Sequence, residues 1–231
     1  IDTSYDKNKN GKIESNEMQP KLKDECIKFI VYPEGQSFWS TTPRAAGVDK
    51  DNYAWIGFWD KSLLTKLHPD TGKKVDDINI KCNPYGLVID QTGIIWVSGR
   101  GCGALVRVNP KTKAIEKFNA SKGYPYGINV DVFGKIWLAN TNKWTSRYDP
   151  ITKTWDHIAH GPDSRGVATS IDGSVYVALD LDNAIAKINA ATLKLESSIA
   201  LGKGRYPVGI AVDHKGFVWA INQSAGTATK V

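Results

Sequence analysis

The sequence is poor in sulfur and has no long apolar stretch. One methionine and three cysteines occur in 231 residues, too few for a Met-rich adaptable surface or a dense disulfide scaffold. No run of 18 apolar residues exists, so no membrane-spanning helix is expected. The net charge of +6 comes from scattered lysines and never gathers into a basic block, so nucleic acid is not an expected partner. No phosphate-binding glycine loop, zinc-type Cys/His spacing or nucleophile–His–Asp set is present. Aromatic residues, by contrast, are abundant. Eight tryptophans and nine tyrosines suit pleated, half-buried surfaces, and a hydrophobic content of 41% is ample for a core. The chain starts at Ile1 without a signal peptide, which reads as a processed product, a fragment or part of something longer.

One pattern recurs along the chain. Tyr85-Gly86-Leu87-Val88-Ile89-Asp90 leads to Ile95-Trp96-Val97-Ser98, and Tyr126-Gly127-Ile128-Asn129-Val130-Asp131 leads to Ile136-Trp137-Leu138-Ala139. Further copies open at Gly47, Gly166 and Gly209. The five glycines are 39 to 43 residues apart, the period of propeller blades. Each glycine opens a short apolar strand that ends in a turn such as Asp90–Gly93, and the next strand carries the Trp or Tyr. A third strand alternates apolar residues with Lys or Arg, as in Leu105-Val106-Arg107-Val108-Asn109-Pro110. Pro/Thr/Lys punctuation then turns the chain into a fourth strand, such as Ala114–Phe118 or Leu195–Ile199.

The expected fold is therefore all-β: a β-propeller of four-stranded antiparallel blades, about five in this chain or part of a six- or seven-bladed parent. Thr227–Val231 reads as a third strand and Cys26–Val31 as a fourth. The last blade is thus either completed by the N-terminal strand or truncated. Residues 1–25 are expected to form a separate loop and its connection, and residues 26–231 the propeller. The tryptophans at 55, 96, 137 and 219 are expected in the core.

The pattern Pro-x-Gly-(apolar)3-Asp…Gly-x-(Ile/Val)-Trp…(Lys/Arg)-(Val/Leu)-(Asn/Asp)-Pro, over residues 44–231, resembles the bacterial streptogramin-lyase-like and NHL-type propeller repeats. The resemblance implies the fold; one fold hosts many activities. Streptogramin lyases use histidine and glutamate with a metal beside the channel. Of the four histidines, His68 falls in a strand-three turn, His214 on the opposite rim and His157 on an outer strand. Only His160 approaches the rim, without a glutamate near it, so the lyase residues do not carry over.

Asp6-Lys7-Asn8-Lys9-Asn10-Gly11-Lys12-Ile13-Glu14-Ser15-Asn16-Glu17 has the spacing of a twelve-residue EF-hand loop. Asp6, Asn8 and Asn10 would give side-chain oxygens to calcium, Lys12 its carbonyl, Glu14 a direct or water-mediated contact and Glu17 a bidentate one. The other reading is a polar surface loop. Pro20 and the short N-terminal flank leave little room for the usual helices, so a lone structural loop is expected. Cys82 and Cys102 lie nearly equidistant from the turn of their hairpin, which makes a disulfide natural and implies an oxidising compartment. Cys26 is not expected to bond to either.

Propeller ligands usually meet the rim formed by loops entering the first strand and leaving the second. That rim holds Arg44, Trp59, Arg100, Asn140, Arg165 and Arg205, which include four of the six arginines. Arginine suits bidentate recognition of carboxylate or sulfate, and aromatics beside it suit sugars; alternatively, these arginines bridge adjacent blades. The reading is a non-catalytic, calcium-stabilised propeller at a secreted, periplasmic or cell-surface location. Its partner would be an anionic polysaccharide or protein surface, with self-assembly also open. A metal-dependent lyase and a structural subunit are the alternatives.

Overall fold

The computed structural model describes residues 6–12, 14–18, 30–31, 42–119 and 122–231. Nineteen strands among them form five antiparallel sheets, with strand neighbours following chain order. Blade I is β1 (Pro43–Val48), β2 (Ala54–Phe58), β3 (Leu63–Leu67) and β4 (Lys74–Asn79). Blade II is β5 (Pro84–Ile89), β6 (Ile95–Gly99), β7 (Ala104–Val108) and β8 (Ile115–Asn119). Blade III is β9 (Pro125–Val130), β10 (Ile136–Asn140), β11 (Trp144–Asp149) and β12 (Thr154–Ala159). Blade IV is β13 (Ser164–Thr169), β14 (Ser174–Leu179), β15 (Ala184–Asn189) and β16 (Leu195–Ala200). Blade V has three described strands, β17 (Pro207–Val212), β18 (Val218–Asn222) and β19 (Thr227–Lys230).

The aspartate and the tryptophan six residues after it explain why each repeat folds alike. Asp90 Oδ1 accepts the backbone N–H groups of Thr92 and Ile94, closing the first turn, and Oδ2 accepts the indole N–H of Trp96 at 2.7 Å. The latch recurs from Asp49 to Trp55, Asp131 to Trp137 and Asp213 to Trp219. Blade IV replaces both partners together, with Ser170 and Tyr176. The latch fixes the turn register and thereby the face on which each side chain lies.

The core lies between blades. β1 packs on β5, β5 on β9, β9 on β13 and β13 on β17, while no comparable packing joins β17 to β1. The repeated glycine permits that approach. A Cβ at Gly127 would come within 2.5 Å of the Arg165 carbonyl oxygen, and one at Gly166 within 2.7 Å of that of Val208. At Gly209 the only neighbour among the described residues is Ile221 of its own blade. Trp55, Trp96 and Trp137 are buried as expected, but Trp219 is 38% exposed. This corrects its placement in the core: among the described residues no sheet lies against the outward face of blade V. The expected strand Cys26–Val31 lies outside the described residues at 26–29, and Ile30 and Val31 are exposed and not in a strand. Cys26 is likewise outside them.

Candidate ligand-binding rim

The second residue of each inner strand occupies a β-bulge. Register shifts fall between Pro43 and Ala45, Pro84 and Gly86, Ser164 and Val167, and Pro207 and Gly209, and β9 carries the same extra residues opposite Ala139. A bulge lifts one residue off the ladder and re-aims its side chain. The lifted residues are Arg44, Tyr85, Tyr126, Arg165 and Val208. Because successive inner strands pack together, the first four form a row along one end of the blades.

The row is a ladder of alternating guanidinium and ring. Arg44 lies 5.0 Å from the Tyr85 ring and 5.9 Å from that of Trp59, and its Nη1 donates to the Tyr85 hydroxyl at 3.0 Å. The Tyr85 and Tyr126 rings are 4.1 Å apart. Arg100 lies over both, at 5.6 and 5.1 Å, and Arg165 lies over Tyr126 at 5.1 Å. Such contacts each contribute about 0.5–2 kcal/mol. The far end is acidic: Arg165 Nε donates to Asp180 at 2.9 Å and Nη2 pairs with Asp163 at 2.8 Å.

Burial perturbs the titration of this row. The Tyr126 phenol is pushed up to about 12 by desolvation, reinforced by its hydrogen bond with Tyr85, so it is neutral at physiological pH. Asp163 is raised, first by burial and then by the nearby Asp180 charge, with Arg165 opposing. Two carboxylates side by side ionise less readily than one.

Arg100 is held by local chemistry. The turn Arg100–Cys102 ends in Gly103, whose φ of +67° suits glycine. Cys102 is disulfide-bonded to Cys82, with Cα atoms 5.4 Å apart. This is the expected pairing, and it staples the Arg100 turn to the segment that enters β5. Gly101 lies against Asn83, whose Oδ1 would sit 1.9 Å from any Cβ there. Arg100 Nη1 is shut from water with no acceptor among the described residues.

Arg44, Trp59, Arg100 and Arg165 are thus brought together, and Tyr85, Tyr126 and Asp163 join them. Asp163 escaped sequence reading because only its proximity to Asp180 gives it significance. Asn140 and Arg205 do not join. Asn140 is fully buried, donating to Ser146 Oγ at 2.8 Å, and its Oδ1 lacks a partner. Arg205 turns to Thr227 Oγ1 at 3.1 Å. His160 is close to Thr145, with Nε2 2.9 Å from its hydroxyl, and burial lowers its pKa to about 4.

The N-terminal loop lies apart in sequence and closes on itself. Asp6 accepts the N–H groups of Asn10 and Gly11, at 3.1 and 2.6 Å, and Gly11 has φ +82°. Buried Glu17 accepts those of Lys7 and Asn8 on one oxygen and of Glu14 on the other. Asn8 and Asn10 both donate to Glu14. No group of three or more His, Cys, Asp or Glu side chains stands in a metal-holding arrangement among the described residues. Ile13 lies outside them.

No family model and no curated protein sequence matches this chain. Solved structures do resemble it. Virginiamycin B lyase from Staphylococcus aureus aligns at TM-score 0.72 and 17% identity, over 82% of this chain and 69% of that one. A catalytically inactive form of that lyase with quinupristin aligns at 0.74 and 17%, over 85% and 71%. Hydrazine synthase of Kuenenia stuttgartiensis aligns at 0.71 and 15%, over 82% and 59%. At these identities the likeness establishes the fold, and the chain is a β-propeller of the architecture seen in streptogramin B lyase and other propellers.

Proposed function

We propose that the protein is an extracellular, calcium-stabilised binding module that takes an acidic polysaccharide at the arginine–tyrosine rim. The observation that carries this reading is Arg100, whose Nη1 is buried without an acceptor among the described residues between two tyrosines shared with Arg44 and Arg165. A buried donor without a partner is costly, and a ligand carboxylate or sulfate would satisfy it. The flat tyrosine and Trp59 rings suit sugar faces. The disulfide fits an oxidising, extracellular setting.

The test is titration calorimetry with a uronic-acid hexasaccharide and a neutral hexasaccharide of the same linkage. Acidic sugar should bind and neutral sugar should not, with affinity falling as salt rises. Arg100→Gln should weaken binding at least tenfold, while Arg205→Gln leaves it unchanged. Equal binding of the two sugars, or an unaffected Arg100→Gln variant, would sink the proposal.

Calcium would be held by Asp6, Asn8, Asn10, the Lys12 carbonyl, Glu14 and Glu17, and would supply ordering of the N-terminal connection. Support comes from the oxygen spacing and from carboxylates that already gather backbone N–H groups within one loop. Bidentate binding by Glu17 would displace donors from an acceptor that now takes three. Calorimetry should show calcium binding abolished by Glu17→Gln; unchanged affinity would remove calcium from the reading.

One observation favours a second reading, lyase chemistry. Asp163, with its raised pKa beside Tyr126 and Arg165, could serve as a general acid. Turnover of quinupristin that is lost in Asp163→Asn would favour it.

A further inference from the structure

Blades I, II and III present the same row to the blade that follows. Trp96 pairs in register with Arg107, and Arg107 with Glu116. The corresponding rows are Trp55, Lys66 and Asp76 in blade I and Trp137, Arg147 and Asp156 in blade III. Each row meets the turn between the third and fourth strands of the next blade, at the end opposite the arginine–tyrosine ladder.

Two of these junctions are closed by a charged contact. Between blades I and II, Lys113 of that turn pairs with Asp76 at 2.5 Å. Between blades III and IV, Arg147 binds Asp156 and donates to the Ala190 carbonyl at 2.9 Å. Lys153 of blade III stands where Lys113 stands in blade II, after the same Asn/Asp-Pro-x-Thr sequence and with the same φ of +59°. Its counterpart acceptor would be Glu116. That carboxylate is already taken by Arg107 at 2.5 Å, and Lys153 has no ion pair among the described residues.

The junction between blades II and III consequently stays open. A cavity of about 210 Å³ remains, walled by Trp96, Phe118, Tyr148 and Pro150, with Arg107, Glu116 and Lys153 also lining it. The Phe118 and Tyr148 rings are 4.8 Å apart, and no described hydrogen bond engages the Tyr148 hydroxyl. Trp96 and Tyr148 lie almost wholly buried beneath the cavity, so Phe118 and Pro150 are its accessible apolar wall, and the ammonium of Lys153 makes it amphipathic and locally positive. Cavities of about 150 Å³ accept a benzene ring, so this one has room for a single substituted six-membered ring. We infer that the junction of blades II and III is a second binding site, for one six-membered ring carrying a carboxylate. The ring would pack against Phe118 and Pro150 while the carboxylate meets Lys153 and Arg107.

Two ring chemistries fit, and the probes separate them: benzoate for a planar aromatic acid and methyl glucuronide for a sugar acid. Binding is followed by tryptophan fluorescence and calorimetry, with benzene and methyl glucoside as uncharged controls. At least one acid should saturate, and whichever does identifies the source. Lys153→Gln should weaken it about tenfold with an unchanged melting temperature, since Lys153 is exposed. Lys113→Gln, at the closed junction, should leave binding unchanged. Absence of saturation by both acids would overturn the site, as would binding that is indifferent to Lys153→Gln or matched by the uncharged controls.

Discussion

Trp137 and Trp219 occupy the same position of the same repeat, and both donate their indole N–H to the aspartate six residues earlier. Trp137 is fully buried, while Trp219 is 38% exposed. Two residues along, the contrast reverses in size: Ala139 is small and fully buried, whereas Ile221 is large and 55% exposed. Blade III has blade IV against it; blade V has no described sheet on its outward face. The difference teaches that the repeat motif builds a blade, whereas burial, and with it most of the stabilisation, comes from the next blade.

The largest expected effect is on the tryptophans themselves. Trp137→Ala should cost about 3–5 kcal/mol in denaturant unfolding, and Trp219→Ala about 1 kcal/mol, because less of its surface leaves water. Equal costs would mean that the face of blade V is covered in solution.

Next comes the staple of blade II, for which blade V has no counterpart among the described residues. Replacing Cys82 and Cys102 together by serine should cost about 3 kcal/mol for a loop of this length. It should also release the Arg100 turn, weakening ligand binding in calorimetry without touching a ligand-contacting atom.

A pH scan examines the buried side of the comparison through His160, which follows β12 in blade III. Burial holds its pKa at about 4, against about 6.5 in an unfolded chain. As pH falls the unfolded state takes up the proton first, so stability is intact above about pH 6.5 and is lost toward pH 4. Roughly 2 kcal/mol should go between pH 7 and pH 5. Melting curves of His160→Gln should show a flatter profile, and an unchanged slope would assign the pH dependence elsewhere.

The smallest effects sharpen the contrast two residues further on. Ala139→Ile should cost about 1–3 kcal/mol by overpacking. Ile221→Ala should stay within about 0.5 kcal/mol, as exposed substitutions do. Both are read from the same unfolding curves.

Much of the fold was legible because its signals are local. The Asp–Trp spacing, the glycine period and the alternation in the third strand named the strands, the turns and the hairpin that brings Cys82 to Cys102. The rim was legible in part. Arg44 and Arg165 are the x residues of the Pro-x-Gly element or its variant, and the bulge there re-aims them together. Arg205 sits two residues before Pro207, outside that bulge, and turns to Thr227. Asn140 occupies a strand end that looks like a loop in sequence and is fully buried. Reading loop position alone could not tell these cases apart.

By itself, the sequence determined the blades: in four of the five, an aspartate reaches its own turn and its own tryptophan within six residues, whatever lies beyond. Only the tertiary structure decided what those blades meet. Whether Trp219 is covered, whether Arg100 finds an acceptor and whether Lys153 finds a carboxylate all depend on groups about forty residues or more away. Those groups become neighbours only when blades pack, and burial and charge pairing are properties of that packing.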